Sequence, residues 1–107
     1  MSNLINALPA GKKLAKSQLN AIAKMEQFGV TLPAQAEIRS NPFTGVQVEL
    51  CPLAVAMFDF ITLSYKNYLA TRGVFSFNGH KFTVSTWDNS RYAFLALWPD
   101  AYYNLID

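Results

Sequence analysis

The sequence predicts a single α+β domain on the basis of three observations. Two long stretches carry apolar side chains at the three-to-four-residue spacing of a helix. Two other stretches surround strong turn signals, Asn41–Gly45 and Asn78-Gly79, as β-hairpins do. The 107 residues have the length of one domain and can bury a core without disulfides. We assign residues 11–107 to this domain and expect the small, weakly apolar residues 1–10 to fray.

A long central helix is the most clearly predicted element and runs from Pro52 to about Ala70. Proline suits the first helical turn because its missing N–H would have no partner there. Gly73 suits the left-handed residue just past the helix end. We expect the rest of the fold to pack on one apolar face, which comprises Leu53, Ala54, Met57, Phe58, Phe60, Ile61, Tyr65 and Tyr68.

The first hairpin is predicted to pair Ala36–Ser40 with Val46–Leu50 across the turn at 41–45. In this turn Pro42 fixes one backbone angle, and Gly45 can take positive φ. We expect Ile38 to face inward. The charged neighbours of Ile38 are expected to face outward, namely Glu37 and Arg39.

The second hairpin is predicted around Asn78-Gly79, because a type I′ turn needs positive φ at both central positions. Its strands would be residues 74–77 and 81–85, with His80 exposed. Residues 87–98 are either a third strand or a helix capped by Asp88 or Asn89, and the Ala and Leu content favours the helix. After Pro99, a short terminal helix is predicted at Asp100–Ile106.

A basic first helix is predicted from Lys12 to Phe28, ended by Gly29. Its lysines concentrate most of the positive charge of a chain whose formal net charge is +2. We favour a solvated outer face, and the alternative is an electrostatic contact with nucleic acid or an acidic partner. The candidate nucleic-acid-binding residues are Lys12, Lys13, Lys16 and Lys24.

The inventory of reactive side chains does not favour an enzyme. Cys51 and His80 are the single cysteine and the single histidine, so neither an intramolecular disulfide nor a multi-cysteine metal site is possible. Cys51 has no recognisable base nearby in the sequence. Asp59 would act as an acid if it were buried beside aromatic rings, but we expect it at the solvent edge of the central helix. We therefore predict no catalytic residue, cofactor or metal, and no apolar run is long enough to span a membrane.

Aromatic residues are unevenly distributed, since 14 of the 15 Phe, Tyr and Trp side chains lie from Phe43 onward. Most are expected in the core. A domain of this size has difficulty in burying all of them, and exposed aromatic rings are typical anchors of protein interfaces. An ordinary large aromatic core is the alternative. The candidate protein-interaction residues are Trp87, Trp98, Tyr102 and Tyr103.

Two motifs resemble those of small proteins encoded by tailed bacteriophages. One is NPxTG, VELxPL and AxxDxI between Asn41 and Ile61, and the other is WPxAYYxLID from Trp98 to the last residue. The resemblance favours a helical C-terminal region and implies a bacterial host cytoplasm, or a virion, as the setting. It leads us to expect a non-enzymatic phage accessory protein that binds a host or phage protein or itself. A nucleic-acid-binding protein and a small virion structural component are the alternatives.

Overall fold

Within residues 3–72 and 75–106, which the computed structural model describes, the fold consists of five helices and two separate two-stranded antiparallel sheets. This arrangement confirms the predicted α+β class. The radius of gyration of 13.2 Å is that of a compact domain of this length. The elements in chain order are α1 (Asn3–Asn6), α2 (Lys16–Gln27), β1 (Glu37–Ser40), β2 (Gln47–Leu50), α3 (Pro52–Thr71), β3 (Phe75–Phe77), β4 (His80–Phe82), α4 (Val84–Leu97) and α5 (Pro99–Leu105).

Helix α3 is the predicted central helix and begins, as predicted, with Pro52 in its first turn. Its N-terminal half is buried on almost every side, which is broader than the single face that the spacing predicts. Tyr65, expected in that face, is exposed. The helix ends with Arg72 in the left-handed conformation at φ 59°. The predicted cap Gly73 lies outside the described residues.

Helix α2 begins at Lys16 rather than at the predicted Lys12. Ala15 has an extended backbone, and its N–H donates to Gln18 Oε1 at 3.0 Å, so the side chain of Gln18 caps the start of the helix. The helix ends before Gly29, whose φ of 92° agrees with the predicted terminator.

The N-terminal segment packs onto α2 instead of fraying as expected. Asn3–Asn6 forms one helical turn, and Leu4 is almost completely buried. The backbone N–H of Leu4 donates to Glu26 Oε1 at 2.8 Å. One apolar side chain and one long-range hydrogen bond therefore hold this segment against the domain.

The first hairpin has the predicted pairing, with Ile38 opposite Glu49 and Arg39 opposite Val48. The expected orientation of its side chains is wrong, because Ile38 is 55% exposed and Arg39 is half-buried. The face that carries Arg39 lies toward α3, where the guanidinium reaches Asp59. Since successive side chains of a strand point to opposite faces, Ile38 must then point to solvent.

The second hairpin has the predicted type I′ turn, with φ 56° at Asn78 and 77° at Gly79. Its second strand ends at Phe82, because Thr83 caps α4 by accepting a hydrogen bond from the N–H of Thr86. The helical interpretation of 87–98 is thus confirmed, but α4 starts several residues earlier than either predicted cap. Val74, predicted in the first strand, lies outside the described residues.

The core lies where α3, α4 and α2 meet over the second hairpin. Phe28 packs against Phe60 with ring centroids 5.8 Å apart and against Phe82 at 5.4 Å. Helix α5 follows Pro99 with one residue of offset from the predicted span and packs against α4 and β2.

Candidate protein-interaction surfaces

The predicted C-terminal anchors lie in three different environments. Tyr102 is only 7% exposed, and its hydroxyl accepts a hydrogen bond from Arg91 Nη1 at 2.6 Å. Trp98 is half-buried and packs on Phe94, with centroids 5.2 Å apart. Tyr103 is 58% exposed and meets Tyr102 edge-on. Tyr103 therefore has the most accessible ring of the three, while the ring of Tyr102 belongs to the core.

Trp87 is half-buried between α3 and α4. Its indole N–H donates to the backbone oxygen of Ile61 at 3.2 Å. Its ring lies 5.3 Å from that of Tyr65 and 6.4 Å from that of Tyr68, centroid to centroid. Trp87 thus joins the two helices, and the exposed Tyr65 forms the outer side of this stack.

Arg91 lies at the centre of a second group of aromatic contacts. Its guanidinium carbon is 4.5 Å from the ring centroid of Tyr92 and 5.4 Å from that of Trp87. The hydrogen bond to Asp88, at 2.8 Å from Nη2, is the main cause that raises the pKa of Arg91 above its usual value. Because Asp88 and Tyr102 already engage this cation, the group stabilises the contact between α4 and α5.

The four candidate lysines are all exposed but do not form one helical face. Lys12 and Lys13 precede α2, Lys16 is its first residue, and Lys24 lies in its last turn. The predicted basic helix is therefore divided between an extended segment and a shorter helix. This arrangement agrees with a solvated surface more closely than with a continuous track for phosphates.

The tip of the first hairpin carries a residue that the sequence interpretation missed. Phe43 is 95% exposed, the highest value among the large apolar side chains described. We read residues 41–45 only as a turn. The available signal was the position of Phe43 between Pro42 and Gly45, since a central turn residue must project into solvent.

Asn41 fixes this turn in place. Its Oδ1 accepts hydrogen bonds from the N–H groups of Phe43 at 2.8 Å and Thr44 at 3.1 Å. Its Nδ2 donates to the backbone oxygen of Asn104 in α5 at 3.0 Å. The Asn41 side chain is buried, so the tip is held to the body of the domain rather than left as a free loop.

The base of the same hairpin is fixed by Arg39, which binds Asp59 of α3 and also Glu37, at 3.1 Å. The hydrogen bond to Asp59 is the main cause that raises the pKa of Arg39. Asp59 is thus exposed, as predicted. Beside this ion pair lies an open groove of about 330 Å³, with Pro33 and Phe60 among the residues that line it.

The reactive side chains lie apart from one another. Cys51 is exposed just before α3, and His80 is exposed on the second hairpin. Across residues 3–72 and 75–106, no group of three or more His, Cys, Asp and Glu side chains is placed to hold a metal ion. Nor does any helix in these ranges combine the length and apolar character needed to cross a lipid bilayer.

No protein-family model matches the chain, and neither the comparison with curated proteins nor that with solved structures gave a match. The resemblance to phage proteins therefore stays a prediction, and the surfaces described above are the basis for a functional proposal.

Proposed function

We propose that the protein is a non-enzymatic binding module that recognises another protein through the tip of the β1–β2 hairpin, with Phe43 as its anchor. The observation that carries this proposal is the combination of exposure and fixation. The ring of Phe43 is 95% exposed, while the turn that bears it is tied to α5 through the buried Asn41.

This combination is useful for binding and not for folding. An exposed ring buries little apolar surface in the monomer, so Phe43 contributes little to its stability. Ordering a loop on association costs free energy, and a turn already fixed by hydrogen bonds avoids much of that cost. Large aromatic side chains that enter a pocket of the partner commonly dominate the binding energy of an interface.

Tyr103 and the outer edge of the Trp87 stack are secondary parts of this proposal. Tyr103 and Tyr65 are both exposed but rest against neighbouring rings, so part of each is already buried. In the phage setting that the resemblance predicts, the partner is a host or phage protein, and a small virion component would use the same tip to contact its neighbours.

The test compares capture of partners from bacterial lysate by three purified, tagged proteins, followed by mass spectrometry. The wild-type chain and a Leu69→Ser variant are expected to retain the same partner, because Leu69 is an exposed apolar residue on α3. The Phe43→Ser variant is expected to lose it, with at least a tenfold weaker dissociation constant (about 1.4 kcal/mol) when the purified partner is titrated. Equal binding by the Phe43→Ser variant would contradict the proposal.

A nuclease arm separates this function from nucleic-acid binding. Partner capture is expected to survive nuclease treatment and the joint replacement of Lys13, Lys16 and Lys24 by Gln. Capture that disappears with nuclease and with the lysine variant, and that falls steeply with added salt, would favour nucleic-acid binding instead.

A further inference from the structure

Strand β1 is an edge strand. It pairs with β2 along one side, and among the described residues no strand lies along its other side. Helix α5 packs against β2, so the open side of the hairpin belongs to β1. Open strand edges are templates for pairing with another chain unless they are blocked.

The direction of the backbone groups shows which residues of β1 face this edge. The N–H of Asn41 donates to the oxygen of Val46, in the same register as the rest of the hairpin. Because hydrogen-bonded and non-hydrogen-bonded pairs alternate along an antiparallel ladder, Arg39 also points its backbone groups at β2. Ile38 and Ser40 therefore direct their N–H and C=O groups to the open edge. The oxygen of Ile38 accepts a hydrogen bond from the side chain of Arg39 at 3.1 Å, which agrees with this direction.

The side chains along this edge are complementary to themselves. We infer that two copies of the protein pair antiparallel through β1, about a two-fold axis at Ile38, and form a four-stranded sheet. In this register Glu37 of each copy lies opposite Arg39 of the other. Ile38, 55% exposed in the monomer, lies opposite Ile38 of the second copy on the other face.

Charge also selects this register over the nearest alternative. A two-fold axis at Arg39 would place the two Arg39 side chains opposite each other, and like charges directly opposite are destabilising. An axis between Ile38 and Arg39 would place side chains from different faces opposite each other, which antiparallel pairing does not allow. Only the axis at Ile38 combines two oppositely charged pairs with one apolar pair.

This inference rests on the proposed function, because it uses the same hairpin and names a second copy as its partner. In the register at Ile38, Phe43 of one copy extends past the base of the other hairpin and lies level with Pro33. Pro33 lines the groove beside Asp59. The exposed ring and the open groove are thereby brought to the same end of the paired sheet.

Sedimentation equilibrium over a range of concentrations tests the pairing. The wild-type chain is expected to form a dimer, and Ile38→Pro is expected to abolish it. Proline removes the N–H that faces the open edge but no N–H that bonds to β2, so the hairpin itself should persist, as circular dichroism would check. A monomeric wild-type chain, or a dimer unchanged by this substitution, would overturn the inference.

A charge variant keeps the test decisive if the proline variant fails to fold. Glu37→Arg places arginine opposite Arg39 at two symmetry-related positions, and dimerisation is expected to weaken about tenfold or more. Glu49→Arg is the matched control, because Glu49 is an exposed residue on β2 directly behind Ile38. It makes the same change of charge away from the edge and should leave the dimer intact. Equal weakening by both variants would argue against the proposed register.

Cross-linking locates the axis. In a Cys51→Ser background, Ile38→Cys should give a disulfide-linked dimer on mild oxidation, since Cα atoms of a hydrogen-bonded pair lie about 5.5 Å apart, within disulfide range. Glu49→Cys, on the inner strand of each hairpin, should not. If the chain is monomeric while Phe43→Ser still loses a foreign partner, self-pairing is wrong and the proposed function stands. If self-pairing holds while Phe43→Ser binds partners normally, the proposed role of Phe43 is wrong.

Discussion

Arg39 and Asp59 are joined by two hydrogen bonds, from Nε to Oδ1 at 2.9 Å and from Nη2 to Oδ2 at 2.6 Å. The two residues are 20 positions apart in the chain, and their contact connects β1 to α3. Because a guanidinium and a carboxylate match each other in this two-point geometry, the contact fixes the orientation as well as the distance of the hairpin.

We expect the Arg39–Asp59 pair to show a coupling energy of about 0.5–1 kcal/mol, because both side chains remain partly open to water. The measurement is a double-mutant cycle of Arg39→Ala and Asp59→Ala by urea unfolding. The coupling should shrink in 1 M salt, which shortens the screening length to about 3 Å. A cycle of Asp59→Ala with Lys66→Ala, an exposed residue of α3, should show no coupling. Equal coupling in both cycles would mean that the contact has no specific role.

Phe58→Ala is expected to lower the free energy of unfolding by about 3–5 kcal/mol, because the ring is buried beside Phe94, with centroids 6.1 Å apart. Phe43→Ala is the matched control, with the same chemical change at an exposed position, and should stay within about 0.5 kcal/mol of the wild type. Urea melts of the two variants make the comparison. A loss below about 1 kcal/mol for Phe58→Ala would show that the side of α3 facing α4 is not core.

Asn41→Ala is expected to cost about 1–3 kcal/mol, since it leaves the N–H groups of Phe43 and Thr44 without their acceptor and releases the turn from α5. Asn104→Ala is the control, because α5 contributes the backbone oxygen of Asn104 and not its side chain to this contact. Thermal melts measure the stability, and amide exchange at Thr44 measures the fixation of the tip. Unchanged exchange in the Asn41→Ala variant would remove the argument that the tip is preorganised.

Tyr102→Phe is expected to destabilise the fold by about 1–2 kcal/mol, because it removes the hydroxyl that accepts a hydrogen bond from the charged Arg91. Tyr103→Phe, the same change on the next and exposed residue, should have almost no effect on unfolding. Denaturant melts of both variants suffice. Equal stability of the two would indicate that α5 is not held through Arg91.

Some contacts could be predicted only in part. The adjacent positions of Tyr102 and Tyr103 indicate that one ring packs inward and one outward, and this is what the structure shows. Which of the two is buried depends on Arg91 in α4, which no local pattern reveals. The exposed Phe43 was open to prediction from its turn position, but its fixation by Asn41 involves α5, 63 residues further along the chain.

The sequence by itself determined the elements whose causes are local. Positive φ at Asn78 and Gly79, the start of α3 at Pro52 and the end of α2 before Gly29 each depend on a few adjacent residues. Only the tertiary structure decided the orientations. Ile38 points to solvent because Arg39 reaches Asp59 across 20 residues, and Leu4 is buried because α2 offers it a surface and Glu26 an acceptor. Alternation in a strand limits the side chains to two faces, but the face that lies inward is chosen by the strongest contact available to either side.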